Sequence, residues 1–436
     1  MGKVKSASAS RFRFDLGLRT LFPEWRRLFV LKGLKADVIA GTTVACIAVP
    51  LALAIALASG VDPAVGLITA IVASIVCAIF GGTPLGVSGP AAAMAVLIAS
   101  VVQQFGMGGL LIVTWGGGIL QVLTGVLALG RIVRFVPVPV ISGFTAGMGA
   151  IILIGQLPRA LGLPPPDQSH VLDVLIHIRD LFHMAKLTSV ILAVGTISLV
   201  MILPRFFPRL PAPLFAVLVP SAVVAYFGIN ADTIGVIPGS LPMPQMPVFP
   251  TSGLGSLTAS TLIVFSLASL ETLLSSSAVD KLSKGKRHDP DQELIGQGLG
   301  NIVSSLFGGI PATGVIARSA LNIQAGAQTR RAAIFHAFVL ILAVYFLAPW
   351  IGKIPTAVLA GILLSVALRM LHPREFFELW HYSRSEALIY LITFLSIVFI
   401  DLIAGIQAGV VAALVIAGIR LSRIQSRVQI FNSQKG

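Results

Sequence analysis

Ser74-Ile-Val-Cys-Ala-Ile-Phe-Gly-Gly-Thr-Pro84 is followed 227 residues later by Asn301-Ile-Val-Ser-Ser-Leu-Phe-Gly-Gly-Ile-Pro311. Ile75, Val76, Phe80, Gly81, Gly82 and Pro84 all recur, and upstream Leu67-Ile68 matches Leu294-Ile295. Each copy closes one apolar run and leads into an unusually short one interrupted by Gly and Pro. The short runs extend from Ser88 to about Gln103 and from Gly314 to about Gly326. Hydropathy divides the chain into about fourteen apolar segments, and an odd number of them separates the two copies. The second unit is therefore inverted in the bilayer, as in secondary transporters built from inverted repeats.

Composition agrees with that frame. Of 436 residues 56% are hydrophobic and 11% charged, where a soluble chain carries about 25% charged. The fold expected is an all-α polytopic membrane protein, with about fourteen spans as a 7+7 inverted repeat. A basic segment, 1–35, precedes a transmembrane transporter domain over 36–423, whose repeats run over about 36–229 and 253–423; a short tail, 424–436, follows. Soluble enzymes, nucleic-acid-binding domains and disulfide scaffolds are excluded. Cys46 and Cys77 lie inside apolar runs and imply neither a disulfide nor a metal site. The amino terminus is not a cleavable signal, since no small-residue cleavage site follows the first apolar run. No nucleotide motif, metal-ligand spacing or hydrolytic triad is present, so no cofactor and no catalytic residues are expected.

The net charge of +14 sits in short loops and tails, where the positive-inside rule and anionic lipid account for it. With both termini cytoplasmic, the cytoplasmic loops hold Arg131 and Arg134, Arg205 and Arg209, Lys281 to Arg287, Arg330 and Arg331, and Arg369, Arg374 and Arg384. Arg420, Arg423 and Arg427 follow in the tail. The opposite loop over 229–254 has no Lys or Arg, and the next has only Lys353. One loop is discordant, with Arg159, Arg179 and Lys186. Within it, Pro164-Pro165-Pro166 leads into an amphipathic surface stretch from His170 to His183.

The two short runs carry the chemistry. A helix over either reaches only about 20–24 Å against a hydrocarbon core of about 30 Å, so each is expected as a half-helix starting near the midplane. Extended backbone precedes them, from Gly81 to Gly86 and from Gly308 to Thr313. Inversion points both amino-terminal ends at one place, where free N–H groups and helix dipoles favour an anion. Arg318 lies in the first turns of the second half-helix. One reading makes it the positive potential of the anion site; the others have it snorkelling to an interface or paired with a carboxylate. Glu271, within the eighth span, is either a proton site coupled to anion movement or a fixed partner of Arg318. Asp401 reads as interfacial, Asp280 as part of the Lys cluster and His336 as a packed core residue. Gly143, Gly147 and Gly149 read as close helix packing, and Trp25, Trp115, Trp350 and Trp380 as interfacial anchors.

Three stretches are similar to the sulfate permease family of anion transporters: Ala48-Val-Pro-Leu-Ala-Leu-Ala-Ile55 with Ser59-Gly-Val-Asp-Pro63, Val87-Ser-Gly-Pro90, and Phe307-Gly-Gly-Ile-Pro-Ala-Thr-Gly-Val-Ile-Ala-Arg-Ser-Ala-Leu-Asn-Ile-Gln-Ala-Gly326. The resemblance runs from about Lys35 to Arg423. It implies a core domain of spans 1–4 and 8–11, a gate domain of spans 5–7 and 12–14, and elevator-type motion of the core. It also implies an anion held between the starts of spans 3 and 10 and closed by span 1. The lining carried over is Leu51, Ile55, Ser88, Gly89, Ala91, Gly314, Val315, Ile316, Ala317 and Arg318. Some members have Gln at Leu51, Phe at Ile55 and Ala91, and Ser at Ala317, so the cavity expected here is wider and less polar. Sodium-coupled bicarbonate members resemble this chain but with Asp at Glu271 and Thr at Ser275 and Ile316; losing the hydroxyl at Ile316 favours protons over sodium. The STAS domain that usually follows the last span is not seen, which leaves a homodimer open.

The function expected is secondary transport of a small anion of the sulfate, bicarbonate or dicarboxylate class across the cell membrane, coupled to protons, with membrane lipid as the other partner and no nucleic acid. A nucleobase or ascorbate carrier of similar fold would want more hydrogen-bonding side chains near spans 3, 8 and 10. A membrane motor or sensor that binds an anion without transporting it shares the same site, and the sequence does not separate it.

Overall fold

The computed structural model describes residues 16–130, 137–164, 171–207, 210–248, 254–283, 287–400 and 402–433. Arg131, Arg134, Pro165, Pro166, His170, Arg209, Lys284, Lys286 and Asp401 lie outside the described residues.

A surface helix, α1 (Leu18–Leu28), precedes α2 (Leu34–Ala58) and α3 (Pro63–Phe80). Asp62 caps α3 by accepting the Ala64 N–H, with Pro63 in the first turn where its missing N–H costs nothing. The chain then runs extended through β1 (Ser88–Gly89) to a 3-10 turn at Ala92–Met94 and α4 (Ala95–Val126). α4 is broken at Gly106, whose φ of 66° and ψ of −174° are open to glycine and costly for other residues. This break separates a first half-helix from the span that follows it.

Next come α5 (Val138–Ala160), the short α6 (Val171–Ile176) and α7 (Ile178–His183), α8 (Leu187–Phe206) and α9 (Ala212–Phe227). The Pro- and Gly-rich stretch after α9 is extended and pinned to a later turn, with the Ile234 and Gly235 N–H groups donating to Ile354 and Gly352 carbonyls. α10 (Leu254–Leu282) and α11 (Pro290–Leu306) lead into β2 (Thr313–Gly314) and the nine-residue α12 (Ile316–Gln324). α13 (Arg331–Ile351), α14 (Thr356–Leu371), α15 (Pro373–Tyr382), α16 (Arg384–Phe399) and α17 (Leu402–Ser433) complete the chain. Among the described residues, eight helical stretches are long and apolar enough to cross a membrane.

Packing sorts the helices into two groups. α2, α3, α4 and α10 to α13 pack on one another, as do α5, α8, α9, α14, α16 and α17; α2 meets α9 and α14 between them. Small residues set the close crossings in the second group. A Cβ at Gly143 would lie 2.6 Å from the Tyr390 carbonyl oxygen, and one at Gly147 would lie 2.9 Å from the Ile397 side chain. α1 lies across the end of the first group: Trp25 donates its indole N–H to the Ile79 carbonyl at 2.8 Å and meets Phe80 edge-on. Trp25 is thus a packing residue with a satisfied donor. The same end is tied by a buried ion pair, Asp37 to Arg331 at 2.9 Å. Asp280 is held by His288, whose Nδ1 lies 2.7 Å from its carboxylate.

Candidate anion site

β1 and β2 pair antiparallel, Ser88 opposite Gly314 and Gly89 opposite Thr313, and the Val315 N–H donates to the Val87 carbonyl at 3.0 Å. Two chains that cross antiparallel leave in opposite directions, so the starts of the two half-helices face each other across this rung. Ser88 and Gly314 were expected to open helices. Both lie in strand instead; helix begins at Ala92 on one side and Ile316 on the other. The reason is hydrogen-bond accounting. Backbone away from water must find partners, and a two-residue ladder supplies several at once.

Side chains satisfy the rest. Asn301 accepts the Ala312 N–H at 2.7 Å and donates to the Ala312 carbonyl at 3.2 Å and to Gln121 at 2.8 Å. Gln297 donates to the Ala312 carbonyl at 2.9 Å and accepts from the Ser88 hydroxyl at 3.1 Å. Thr69 accepts the Ile310 N–H, Thr272 the Gly314 N–H, and Ser319 the Val87 N–H. Ser74 donates to the Ser88 carbonyl at 2.6 Å. Thr83 gives its N–H to Glu293 and its hydroxyl to Ser276, both at 2.8 Å. Of these polar residues, the sequence reading singles out only Ser88 as a site residue. A signal was present for some: Glu293, Gln297, Asn301 and Ser305 recur every four residues, one face of α11.

Arg318 is only 1% exposed, and its Nε, Nη1 and Nη2 all lack hydrogen-bond partners. It neither snorkels nor pairs with Glu271. Its guanidinium lies against Gly89, where a Cβ would fall 2.4 Å from Nη1. Glu271 is half-buried on α10. The Thr313 hydroxyl lies beside its carboxyl without completing a hydrogen bond. Arginine and carboxyl therefore flank the two residues of one rung, Gly89 and Thr313, without neutralising each other.

Of the other lining residues, Ile55, Ser88, Gly89, Ala91 and Gly314 are buried, and Leu51 and Val315 are partly buried. Ile316 is 47% exposed and Ala317 is also exposed, so the start of α12 is open while that of the first half-helix is covered. Leu51, Ile55 and Ala91 are apolar and the Ser88 hydroxyl is taken by Gln297, so the polar groups left at the two half-helix starts are backbone N–H groups and the Arg318 guanidinium. His336 is fully buried, as expected for a packed residue, yet neither ring nitrogen has a partner. No cluster of His, Cys, Asp and Glu suited to a metal occurs among the described residues.

Residues 34–393 match the Sulfate permease family. The chain is 35% identical over 395 residues to a putative sulfate transporter, YvdB, of Bacillus subtilis, covering 88% of this chain and 74% of the relative. It is 32% identical over 409 residues to the bicarbonate transporter BicA of a Picosynechococcus species, covering 91% and 72%. Among solved structures, the transmembrane domain of a cyanobacterial BicA superposes with a TM-score of 0.80 at 32% identity, covering 86% of this chain and 98% of that one. SLC26A9 shares the fold with a TM-score of 0.85 at 18% identity, covering 96% and 73%. With its half-helices meeting at a buried arginine, the chain belongs to the sulfate permease family of membrane anion transporters.

Proposed function

We propose that this protein is a proton-coupled secondary transporter of a small oxyanion, of the sulfate or bicarbonate class, working by elevator-type alternating access. The observation that carries the reading is Arg318, fully buried at the meeting of two half-helix starts with all three guanidinium nitrogens unpartnered. A charge held there at a cost of several kcal/mol is compensated when an anion arrives. The relatives named for sulfate and bicarbonate transport support the class of substrate. The two packed groups, joined chiefly through α2, support a moving core against a gate. Fourteen spans are reached when α4 is divided at Gly106 and the shorter α9, α11, α12 and α16 are counted with the apolar stretch Ala404–Ile419 of α17. The basic loops support cytoplasmic termini, and with them a location in the cell membrane. Dicarboxylates fit the open start of α12 less well, because one buried arginine offers one compact positive centre.

Uptake of labelled sulfate, bicarbonate, chloride and succinate into proteoliposomes tests this. Uptake of an oxyanion is expected, falling to the background of empty vesicles with Arg318→Ala. Binding without accumulation would leave an anion sensor and sink the transport reading.

A further inference from the structure

α1 carries one apolar stripe, formed by Leu18, Leu21, Phe22, Trp25 and Leu28, with Arg27 on the far side. Only one edge of the stripe is packed. Leu21 is buried, and Trp25 reaches the Ile79 carbonyl with its indole N–H. Leu18 and Phe22, on the other edge, are exposed, and Phe29, Val30 and Leu31 continue the exposed surface into the turn before α2. Phe29 is 85% exposed and Leu31 79%. That turn is not free to fold these side chains inward. Arg331 donates to the Val30 carbonyl and, at 2.8 Å, to the Lys32 carbonyl, and is itself held by Asp37 at 2.9 Å. Three consecutive apolar side chains held outward by a buried ion pair are unfavourable in water and mark an interaction surface.

The neighbouring elements set the depth of this surface. α2 is long and apolar enough to cross a membrane and begins at Leu34, so Phe29 to Leu31 lie just beyond one end of a span. α3, whose end carries α1, is another such helix. Ile39, in the second turn of α2, is exposed on the span itself. The charge around the turn is positive. Arg26, Arg27, Lys32 and Lys35 are exposed, and Glu24 is the one carboxylate between Leu18 and Lys35. Arg26 lies over the Phe22 ring, 5.0 Å from its centroid, so its stem follows apolar surface while its head reaches past it. Apolar side chains at membrane level with cations beside them suit an interfacial helix, whereas interfaces between proteins are poor in lysine. We propose that α1 and the Phe29–Leu31 turn are a docking surface for anionic phospholipid. The apolar side chains enter the acyl boundary, and Arg26, Lys32 and Lys35 attract the headgroup phosphates. The interfacial anchoring expected of Trp25 thus falls to its neighbours on the open edge. With the orientation proposed above the leaflet is the cytoplasmic one; the surface itself depends neither on that orientation nor on the transport reading.

Spin labels at Phe29→Cys and, separately, at Leu31→Cys, each in a Cys46→Ala/Cys77→Ala background, read the depth of the turn in vesicles of phosphatidylcholine mixed with phosphatidylglycerol. Both labels should be relaxed by oxygen, which concentrates in the acyl region, and shielded from a water-soluble nickel chelate. Relaxation by nickel overturns the inference. Shielding from both reagents also overturns it, because protein, such as a second copy of this chain, would then cover the turn. The wild type gives an independent reading that needs no label. In neutral detergent its melting temperature should rise with short-chain phosphatidylglycerol and not with phosphatidylcholine or inorganic phosphate. Each of Arg26→Gln, Lys32→Gln and Lys35→Gln should raise the phosphatidylglycerol concentration needed for half of that rise about fivefold. An equal rise with phosphatidylcholine or inorganic phosphate, or an equal response of the wild type and all three variants, overturns the proposal.

Discussion

The guanidinium of Arg318 occupies the space that a side chain at position 89 would need. Gly89 is there because β1 must pass close to the arginine, not because its backbone needs unusual freedom. An added methyl would fall 2.4 Å from Nη1, the far end of a flexible side chain, so the arginine would move rather than the strand. Gly89→Ala is therefore expected to weaken anion binding about tenfold while costing only about 1–3 kcal/mol of stability from overpacking. Calorimetric titration and thermal unfolding read the two effects separately. In an Arg318→Ala background the same methyl should have little further effect on binding, because the group it displaces is gone. Equal losses in both backgrounds would show that Gly89 acts on the strand itself.

At the scale of elements, the half-helices were legible because an apolar run too short to cross a bilayer, flanked by Gly and Pro, has few other uses. The matched Phe-Gly-Gly segments, at Phe80 and Phe307, located the extended backbone ahead of each. The pairing of β1 with β2 was not legible. Two residues carry no strand periodicity, and the partners lie far apart in the chain. The bracing was missed for a related reason: Gln297 and Asn301 look like polar interruptions of an apolar span until the backbone they serve is in place. Across the repeat, Ser74 and Asn301 occupy matching positions, and each bonds the extended segment of its own half, at Ser88 and Ala312. Asn301 does more, holding both polar groups of Ala312 and Gln121 besides. Asn301→Leu should orphan the Ala312 N–H and strip Gln121 of this partner, at about 1–3 kcal/mol for each buried group left unpaired. Thermal unfolding in detergent should show the loss. A melting temperature within a degree of wild type would mean that the ladder holds β2 without Asn301.

For the whole molecule the question is how anion movement is tied to a driving gradient, and Glu271 is where the proposed coupling rests. Arg318 and Glu271 flank opposite residues of one rung but are not paired, so a change of charge on the carboxyl alters the potential felt by an anion without breaking a contact. With Glu271 protonated, the site is more positive and holds the anion more tightly. With Glu271 ionised, the carboxylate opposes the anion and favours release. By linkage the two ligands help each other to bind. Sodium would instead need a shell of oxygen ligands, and Ile316, at the open start of α12, offers no side-chain oxygen. Glu271→Gln holds the site in its neutral form. It is expected to bind anion as well as wild type at acidic pH and better at alkaline pH, while its initial uptake rate becomes independent of external pH. Wild-type uptake should rise as external pH falls and should not change when sodium replaces potassium. The decisive measurement is initial uptake against external pH for both proteins, with each cation. Sodium-dependent uptake, or a wild-type pH profile retained by Glu271→Gln, would reject proton coupling through this carboxyl and leave Glu271 as a structural neighbour of Thr313.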